Sequence, residues 1–209
     1  MKKLTRTVSL LFILCCTSCA KDTIEFNPGI QYGSFTDTRN NEVYKTVQIG
    51  DQTWMAENLR SISTDPHEVN CCNYGKLYMH GAAEEACPEG WHMPDSSEWQ
   101  ILINYLGGNN IAGGKLKETG TTHWDAPNKG ATNSSGFTAL GAGFADYDLG
   151  LQKRMKQAEF WTSSEYPPGY NVSSYYFVSL SNSSTSATWL ISDDDFELME
   201  RKSVRCIKN

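Results

Sequence analysis

The chain has 209 residues, of which 39% are hydrophobic and 20% are charged, with 17 glycines and 7 prolines. This composition excludes a disordered polymer, a collagen-like repeat and a multi-spanning membrane protein. The 18 basic residues are outnumbered by 24 acidic ones, which leaves a net charge of −6 at pH 7. An acidic chain lacks the counterion release that dominates binding to phosphate backbones, so we expect no nucleic-acid partner. By the same reasoning we expect no affinity for anionic membrane surfaces.

The N-terminus has the pattern of an export signal. Three basic residues precede an apolar run over residues 8–16, which is shorter than the roughly 20 residues that a membrane-spanning helix needs. The two small residues before Cys19 resemble a bacterial lipobox. We therefore interpret residues 1–18 as a lipoprotein signal peptide and Cys19 as the acylated first mature residue, with an ordinary secretory cut near Ala20 as the alternative. Because alanine rather than aspartate follows the cysteine, we expect the outer membrane, on its surface or on its periplasmic face.

Residues 19–35 are interpreted as the acylated N-terminus and a tether. They mix polar residues with Pro28, Gly29 and Gly33 and show neither helical nor strand periodicity. Residues 36–209 are of the usual size for one domain.

The first half of this domain has clear local patterns. Residues 38–59 predict a β-hairpin, because apolar residues alternate up to a turn at Gly50-Asp51. Residues 77–86 predict a short helix from their apolar spacing. A second helix has the strongest signal, with Asp95 as N-cap, Glu98 three residues later, an apolar stripe and two terminating glycines.

The second half predicts a long loop region followed by strands. Residues 109–170 are rich in glycine and loop-like, and long ordered loops often carry binding residues. Residues 175–180, 187–191 and 203–207 alternate and predict strands of an antiparallel sheet. The expected fold class is α+β, with a mostly antiparallel sheet, two flanking helices and a long loop region.

Export places the domain's four cysteines in an oxidising compartment, where pairing is the default. A bond between Cys87 and Cys206 would close a loop of about 120 residues, to which the chain-entropy account assigns somewhat over 4 kcal/mol. Cys71 and Cys72 are adjacent, so they either pair through a small strained ring or remain reduced.

Three sequence blocks resemble one known family. They are VQIGDQTWMAENLR over residues 47–60, YGKLYMHGAAEEACPEGWHMPDSSEWQILINYLGG over residues 74–108, and SVRCIKN over residues 203–209. In this order they are similar to the Fibrobacter succinogenes major paralogous domain family, exported and often lipid-anchored proteins of Bacteroidetes-like bacteria. The resemblance covers roughly residues 36–209.

The resemblance implies a C-type-lectin-like or sulfatase-modifying-factor-like fold, in which N- and C-terminal strands pair and a long loop region varies. It also implies that Cys87 is bonded to Cys206, because a disulfide in that fold ties the first helix to the last strand. Family members usually carry a cysteine before the YG motif, which matches Cys71, whereas Cys72 departs from the pattern.

Motifs of enzymes and metal sites are missing from the sequence. The chain has no G-x-S-x-G motif, its four histidines lack metal-ligand spacing, and the triplets by which calcium-dependent lectins of this fold bind sugar are absent. We therefore expect no catalytic residue, no metal and no cofactor. A sulfatase-modifying-factor-like oxidase is a remote alternative by fold analogy, because Cys71 and Cys72 do not reproduce the separated cysteines of those enzymes.

Aromatic and polar residues of the loop region form the candidate ligand-binding site, since sugars stack on aromatic rings and pair with carboxylates and amides. The candidates are Asp146, Tyr147, Asp148, Trp161, Tyr166, Tyr170, Asn171 and Tyr175. We expect Trp161 to be a loop platform that contributes little to the core. The hypothesis is non-catalytic recognition of a glycan or a surface protein by residues 109–175 of a lipid-anchored protein. The alternative is a structural component of a surface or fimbrial complex.

Overall fold

The computed structural model describes residues 23–61, 69–70, 72–146, 150–166, 174–192 and 200–209. The helices are α1 (His80–Glu84), α2 (Ser96–Tyr105) and α3 (Asn109–Leu116), and Cys72–Tyr74 form a 3-10 turn. The strands are β1 (Gly33–Asp37), β2 (Glu42–Ile49), β3 (Gln52–Met55), β4 (Val69–Asn70), β5 (Lys76–Tyr78), β6 (Trp91–His92), β7 (Phe144–Asp146), β8 (Gly150–Gln152), β9 (Gln157–Glu165), β10 (Tyr175–Ser181), β11 (Ala187–Ile191), β12 (Lys202–Ser203) and β13 (Ile207–Lys208).

The strands form two larger sheets and one small hairpin. The five-stranded sheet has the order β1-β2-β3-β13-β6, the six-stranded sheet has the order β11-β10-β9-β12-β5-β4, and β7 pairs with β8. Neighbouring strands are antiparallel, except that β12 runs parallel to β9. The described residues therefore have an α+β fold dominated by antiparallel sheet, as the sequence predicts.

The core fills both faces of the six-stranded sheet. On one face, α2 and α3 contribute Trp99, Leu102 and Leu116 to a cluster that includes Phe160 of β9. Trp161, the next residue of β9, points the other way into a second cluster, because successive side chains of a strand lie on opposite faces. β9 is therefore buried on both sides.

Two local predictions are confirmed. β2 and β3 form the expected hairpin around Gly50-Asp51, with Val47 paired to Trp54. At the start of α2, Asp95 Oδ1 accepts a hydrogen bond from the Glu98 backbone N–H at 2.8 Å, and Glu98 Oε2 accepts one from the Asp95 N–H at 2.9 Å. Both patterns are readable in the sequence because they depend on residues only a few positions apart.

The helix expected over residues 77–86 is shorter in the structure. Leu77 and Tyr78 belong to β5 and pair with Ser203 and Lys202 of β12. This long-range pairing satisfies their backbone groups, so the helix begins at His80.

Part of the region expected to be loops forms α3 and β9. Gly113 and Gly114 lie in α3, where a β-carbon would collide with the backbone of Ser186 or Gly130. This helix therefore packs through its backbone, and its sequence has no apolar stripe that would predict it. β9 has buried side chains on both faces and lacks the polar–apolar alternation of a half-exposed strand.

Residues 23–32 form an N-terminal strap on the domain, whereas the sequence predicts a tether over residues 19–35. The Glu25 backbone N–H donates to Glu118 Oε1 at 2.7 Å, and β1 follows the strap directly. The strap residues that pack against the main core cluster are Phe26, Ile30 and Tyr32.

The C-terminal segment crosses from one sheet to the other. The sequence predicts a single strand over residues 203–207, but β12 lies in the six-stranded sheet and β13 in the five-stranded sheet. Backbone hydrogen bonds from Met55 and Leu59 hold the residues between them. The disulfide implied by the family resemblance is present, and the Cα atoms of Cys87 and Cys206 are 5.9 Å apart.

Arg205 lies at this crossing and is fully buried. Its guanidinium donates hydrogen bonds to the backbone carbonyls of Met55 and Phe137 and to Asn58 Oδ1. The Phe137 ring covers it, with 4.2 Å between the guanidinium carbon and the ring centroid. Burial lowers the pKa of Arg205 to about 9, which leaves the side chain charged at neutral pH.

Replacement of Arg205 should therefore destabilise the whole domain. In Arg205→Ala three buried oxygens lose their donor, and we expect a loss of roughly 3–5 kcal/mol, or a fall in Tm of about 10 °C for a domain of this size. Arg205→Lys keeps the charge but loses the planar fork of donors, so its Tm should lie between those of the wild type and Arg205→Ala. Thermal unfolding followed by circular dichroism measures both. A Tm of Arg205→Ala within about 2 °C of the wild type would contradict this role.

Candidate functional site

An open cleft of about 370 Å³ lies where α2 begins beside the six-stranded sheet. Ligand pockets typically have volumes of roughly 300–1,000 Å³, so this one suits a small ligand. The residues that line it are Ser96, Ser97, Gln100, Tyr176 and Trp189. We call it the aromatic cleft.

The aromatic wall continues the apolar face of the sheet. Val178 of β10 is a core residue paired with Trp189 of β11, and Tyr176 is two positions away on the same face. α3 packs against β11 and α2 packs against β9, and both helices contribute residues to the core cluster on this face. Because α2 begins only at Ser96, Tyr176 and Trp189 remain partly exposed at its N-terminal end.

The rings in this wall stand nearly perpendicular to one another. The Tyr176 and Trp189 ring centroids are 6.3 Å apart with an interplanar angle of 89°. Tyr166, which follows β9 and is 36% exposed, extends the row at 5.5 Å and 67° from Tyr176. The three rings therefore form corners rather than one flat platform.

The polar wall is the first turn of α2. The Ser96 backbone N–H donates to Ser164 Oγ at 2.9 Å, and the Ser97 hydroxyl donates to Asp95 Oδ1 at 2.7 Å. Gln100 Nε2 donates to Asn104 Oδ1 at 2.9 Å. Side-chain oxygens thus already occupy donors of the helix N-terminus, which would otherwise attract an anion.

The lining side chains of the cleft are uncharged. Asp95, which caps the helix, adds a carboxylate near its polar wall, and its hydrogen bonds to Ser97 and Glu98 keep its pKa below the ordinary value although burial alone would raise it. The electrostatics of the cleft therefore favour a neutral ligand over a phosphate, sulfate or carboxylate.

His92 braces this end of α2. Its Nε2 lies 2.9 Å from Glu98 Oε1, and its Nδ1 lies 2.6 Å from Asn209 Oδ1. Burial alone lowers the pKa of His92, but the hydrogen bonds with Asn209 and Glu98 outweigh it, so the pKa lies above 6.5. His92 thus joins the capping box of α2 to Asn209.

Trp161 is a core residue and not a loop platform, so the expectation of an exposed loop tryptophan is corrected. It lies within β9 and is 2% exposed. Its Nε1 donates to the Tyr78 carbonyl at 2.7 Å, and its ring packs edge-to-face against Phe177 and His80. Its place on a buried central strand gives it no access to a ligand.

The remaining described candidates do not form one site. Tyr175 is half-buried and stacks on the His80 ring, with centroids 3.3 Å apart, as part of the second core cluster. Asp146 is half-buried at the end of β7. Tyr166 alone of the described candidates stands beside the aromatic cleft. Tyr147, Asp148, Tyr170 and Asn171, like Cys19, lie outside the described residues.

Sequence reasoning missed the residues that line the cleft. Tyr176 ends an alternating series with Val178 and Leu180, and Trp189 follows an exposed threonine in the next strand. A tyrosine at the end of an apolar face is the signal that could have indicated an uncovered patch. Its partners from α2 could not be inferred, because the contact joins segments about 80 residues apart.

Two further features concern the described residues as a whole. In these ranges, no group of three or more His, Cys, Asp or Glu side chains is placed to hold a metal ion. Likewise, none of the described helices is long and apolar enough to cross a bilayer.

The described residues thus define an α+β domain with a disulfide between Cys87 and Cys206 and an open cleft lined by uncharged side chains. The chain belongs to the Fibrobacter succinogenes major domain family, whose pattern matches residues 47–208. The matched range contains the whole aromatic cleft and both half-cystines. No curated protein and no solved structure matches the chain.

The brace at His92 should make stability depend on pH. Because the pKa of His92 is raised in the folded state, its contribution is fully present below the unfolded pKa of about 6.5 and is lost as pH rises through the folded pKa. We expect the Tm difference between wild type and His92→Gln to be largest below the unfolded pKa of about 6.5 and to shrink as the pH rises through the folded pKa of His92.

Thermal unfolding of both proteins across this pH range measures the effect. Glu98→Gln is the matched control, since it removes the charge that His92 faces and should flatten the same pH dependence. A Tm difference that stays constant with pH would contradict the role of a charged His92.

Proposed function

We propose that this protein is a non-catalytic, lipid-anchored surface protein that recognises a neutral glycan in the aromatic cleft. The observation that carries the proposal is the perpendicular pair Tyr176 and Trp189 beside the uncharged polar side chains of α2. Sugars have apolar C–H faces and a rim of hydroxyls, and they match a site that offers rings on one wall and hydrogen-bonding groups on the other.

The shape of the cleft favours the end of a soluble glycan over a flat polysaccharide surface. A flat surface needs coplanar rings, whereas the Tyr176 and Trp189 planes differ by 89°. A sugar ring stacked on one of them meets the edge of the other. The volume of about 370 Å³ suits one or two sugar rings.

The polar wall adds selectivity for neutral sugars. The Gln100 amide and the two serine hydroxyls can exchange hydrogen bonds with sugar hydroxyls, while the occupied N–H groups of α2 offer little to a sialic acid or a sulfated sugar. Binding is expected to be independent of calcium, since the sequence lacks the calcium-ligating triplets of calcium-dependent lectins.

The fold assigned in this proposal is C-type-lectin-like. Two features support it: β13 at the C-terminus pairs with the N-terminal hairpin through β3, and the disulfide joins the segment after α1 to the C-terminal crossing. Acylation at Cys19 and an outer-membrane location complete the proposal, and their support is the signal pattern of residues 1–19.

The second candidate function is assembly with another surface protein, and the edge strand β11 favours it. Its sequence, ATWLI, has neither lysine nor proline, which commonly protect such edges. Leu190 and Ile191 are 41% and 43% exposed. A partner strand could extend the six-stranded sheet at this edge.

A glycan array tests the cleft. The chain from Lys21 onwards keeps every strand and helix given above and should bind neutral glycans equally with calcium and with a chelator. Tyr176→Ala should weaken binding at least about tenfold, because it removes the central ring of the row, and Gln100→Ala should weaken it less.

Tyr105→Ala is the matched control, because Tyr105 is a 65% exposed tyrosine on the same helix but outside the cleft. Its binding should equal that of the wild type, and all variants should keep a wild-type Tm. A blank array, or equal losses in Tyr105→Ala and Tyr176→Ala, would contradict glycan binding in the cleft and favour assembly at β11.

Metabolic labelling with a palmitate analogue tests the anchor. The wild-type protein should be labelled and fractionate with the outer membrane, whereas Cys19→Ala should lose the label, because its side chain has no thiol to acylate. Cys16→Ala is the control for the neighbouring thiol and should remain labelled. Label retained in Cys19→Ala would overturn this anchor position.

A further inference from the structure

Four exposed basic residues gather at one end of the molecule, although the whole chain carries a net charge of −6. They are Lys129, Lys153, Arg154 and Lys156. We call this surface the basic end. In the described part of the chain none of the four forms an ion pair.

Backbone hydrogen bonds bring these residues together from separate segments. The Asn182 N–H donates to the Lys156 carbonyl at 2.9 Å, and the Asn182 carbonyl accepts from the Lys129 N–H at 2.7 Å. The Lys156 N–H donates to the Lys153 carbonyl at 2.9 Å, which closes the turn before β9. The basic end is thus a rigid part of the fold.

A buried lysine reinforces the same end. Lys117 Nζ donates to the carbonyls of Lys129, Ser181 and Ser184 at 3.0, 2.7 and 2.8 Å, which ties the Lys129 loop to the β10–β11 turn. Three described carboxylates, those of Asp125, Glu25 and the buried Glu118, lie near this end, against four exposed bases.

The N-terminal strap begins at the basic end. A continuous series of contacts runs from the Glu25 N–H to Glu118 (2.7 Å), from Glu118 to His123 (2.7 Å), from the His123 ring to the Tyr74 ring (5.1 Å) and from that ring to the Arg154 guanidinium (4.6 Å). Five peptide steps separate Cys19 from Ile24, and they span at most about 18 Å when extended. A lipid at Cys19 therefore keeps this end close to the bilayer.

We propose that the basic end docks on the anionic head groups of the membrane that holds the anchor. This proposal rests on the lipid anchor of the proposed function for its location, but the docking itself depends on the four bases. Charged groups within about a Debye length of an anionic surface are attracted to it, and each base adds to the affinity.

Docking at this end turns the aromatic cleft away from the membrane. The basic end adjoins Ser181 at one end of β10, whereas Tyr176 of the cleft lies five residues back along the same strand, about 17 Å away. The cleft then faces ligands in the space beyond the membrane.

Vesicle co-sedimentation of the chain from Lys21 onwards tests the docking without an acyl chain. A cooperative thermal transition first checks that each sample is folded. At low salt, the protein should bind vesicles of phosphatidylcholine with phosphatidylglycerol and not vesicles of phosphatidylcholine alone, and added salt should release it. Lys129→Gln/Lys156→Gln should weaken the binding at least about tenfold, since it removes two neighbouring bases.

The matched control is Lys45→Gln/Lys208→Gln, which removes the same charge from exposed lysines of the five-stranded sheet and should bind as the wild type does. Equal losses in the two double variants, or equal binding to neutral vesicles, would overturn the proposal. Tighter binding to a short DNA duplex than to anionic vesicles would assign the surface to another polyanion and also overturn it.

The two proposals fail in distinguishable ways. Vesicle binding by the unacylated chain reports on the basic end alone, whereas palmitate labelling of Cys19→Ala reports on the anchor alone. If Cys19→Ala stays labelled while the unacylated chain still binds anionic vesicles, the anchor position is wrong and the docking surface stands. The reverse result would leave an anchored domain that does not dock through these lysines.

Discussion

A buried cation joins the two larger sheets, and within the described residues its hydrogen bonds go to uncharged oxygens. Arg205 sits where the C-terminal segment leaves the six-stranded sheet and enters the five-stranded one, and three oxygens from Met55, Asn58 and Phe137 receive its donors. Met55 and Asn58 lie close together in the chain, whereas Phe137 lies about 80 residues later and Arg205 about 70 residues later still, so one side chain holds three separate segments in fixed relation. The neighbouring Cys206 adds a covalent link to Cys87 at the same crossing.

The candidate site follows from this architecture as an incompletely covered part of the core face. α2 cannot extend further over the sheet, because Asp95 and Glu98 cap it and His92 braces the cap. The aromatic side chains beyond the cap remain partly exposed, and the wall opposite them is uncharged. The same sheet that buries Trp161 in its centre thus presents Tyr176 and Trp189 at its rim.

Net charge and local charge lead to different conclusions about the membrane. A value of −6 argues against contact with anionic lipids, but it averages over surfaces that the fold separates. Hydrogen bonds through Asn182 place Lys129 beside Lys156, and the strap that leads from the expected anchor packs at the same end. The distribution of charge over the surface therefore indicates an orientation, which the net charge cannot do.

Local signals were enough to predict the hairpin at Gly50-Asp51, the capping box at Asp95 and the α+β class. The sequence also pointed to the family through three ordered blocks and, through that family, to the Cys87–Cys206 pair. It placed Trp161 on a loop because β9 is buried on both faces and has no alternation to reveal it. Three features became visible in the folded chain alone: which aromatic residues are buried, which helix end meets Tyr176 and Trp189, and which lysines are neighbours. Burial and proximity arise from contacts between distant segments, and no local pattern encodes them.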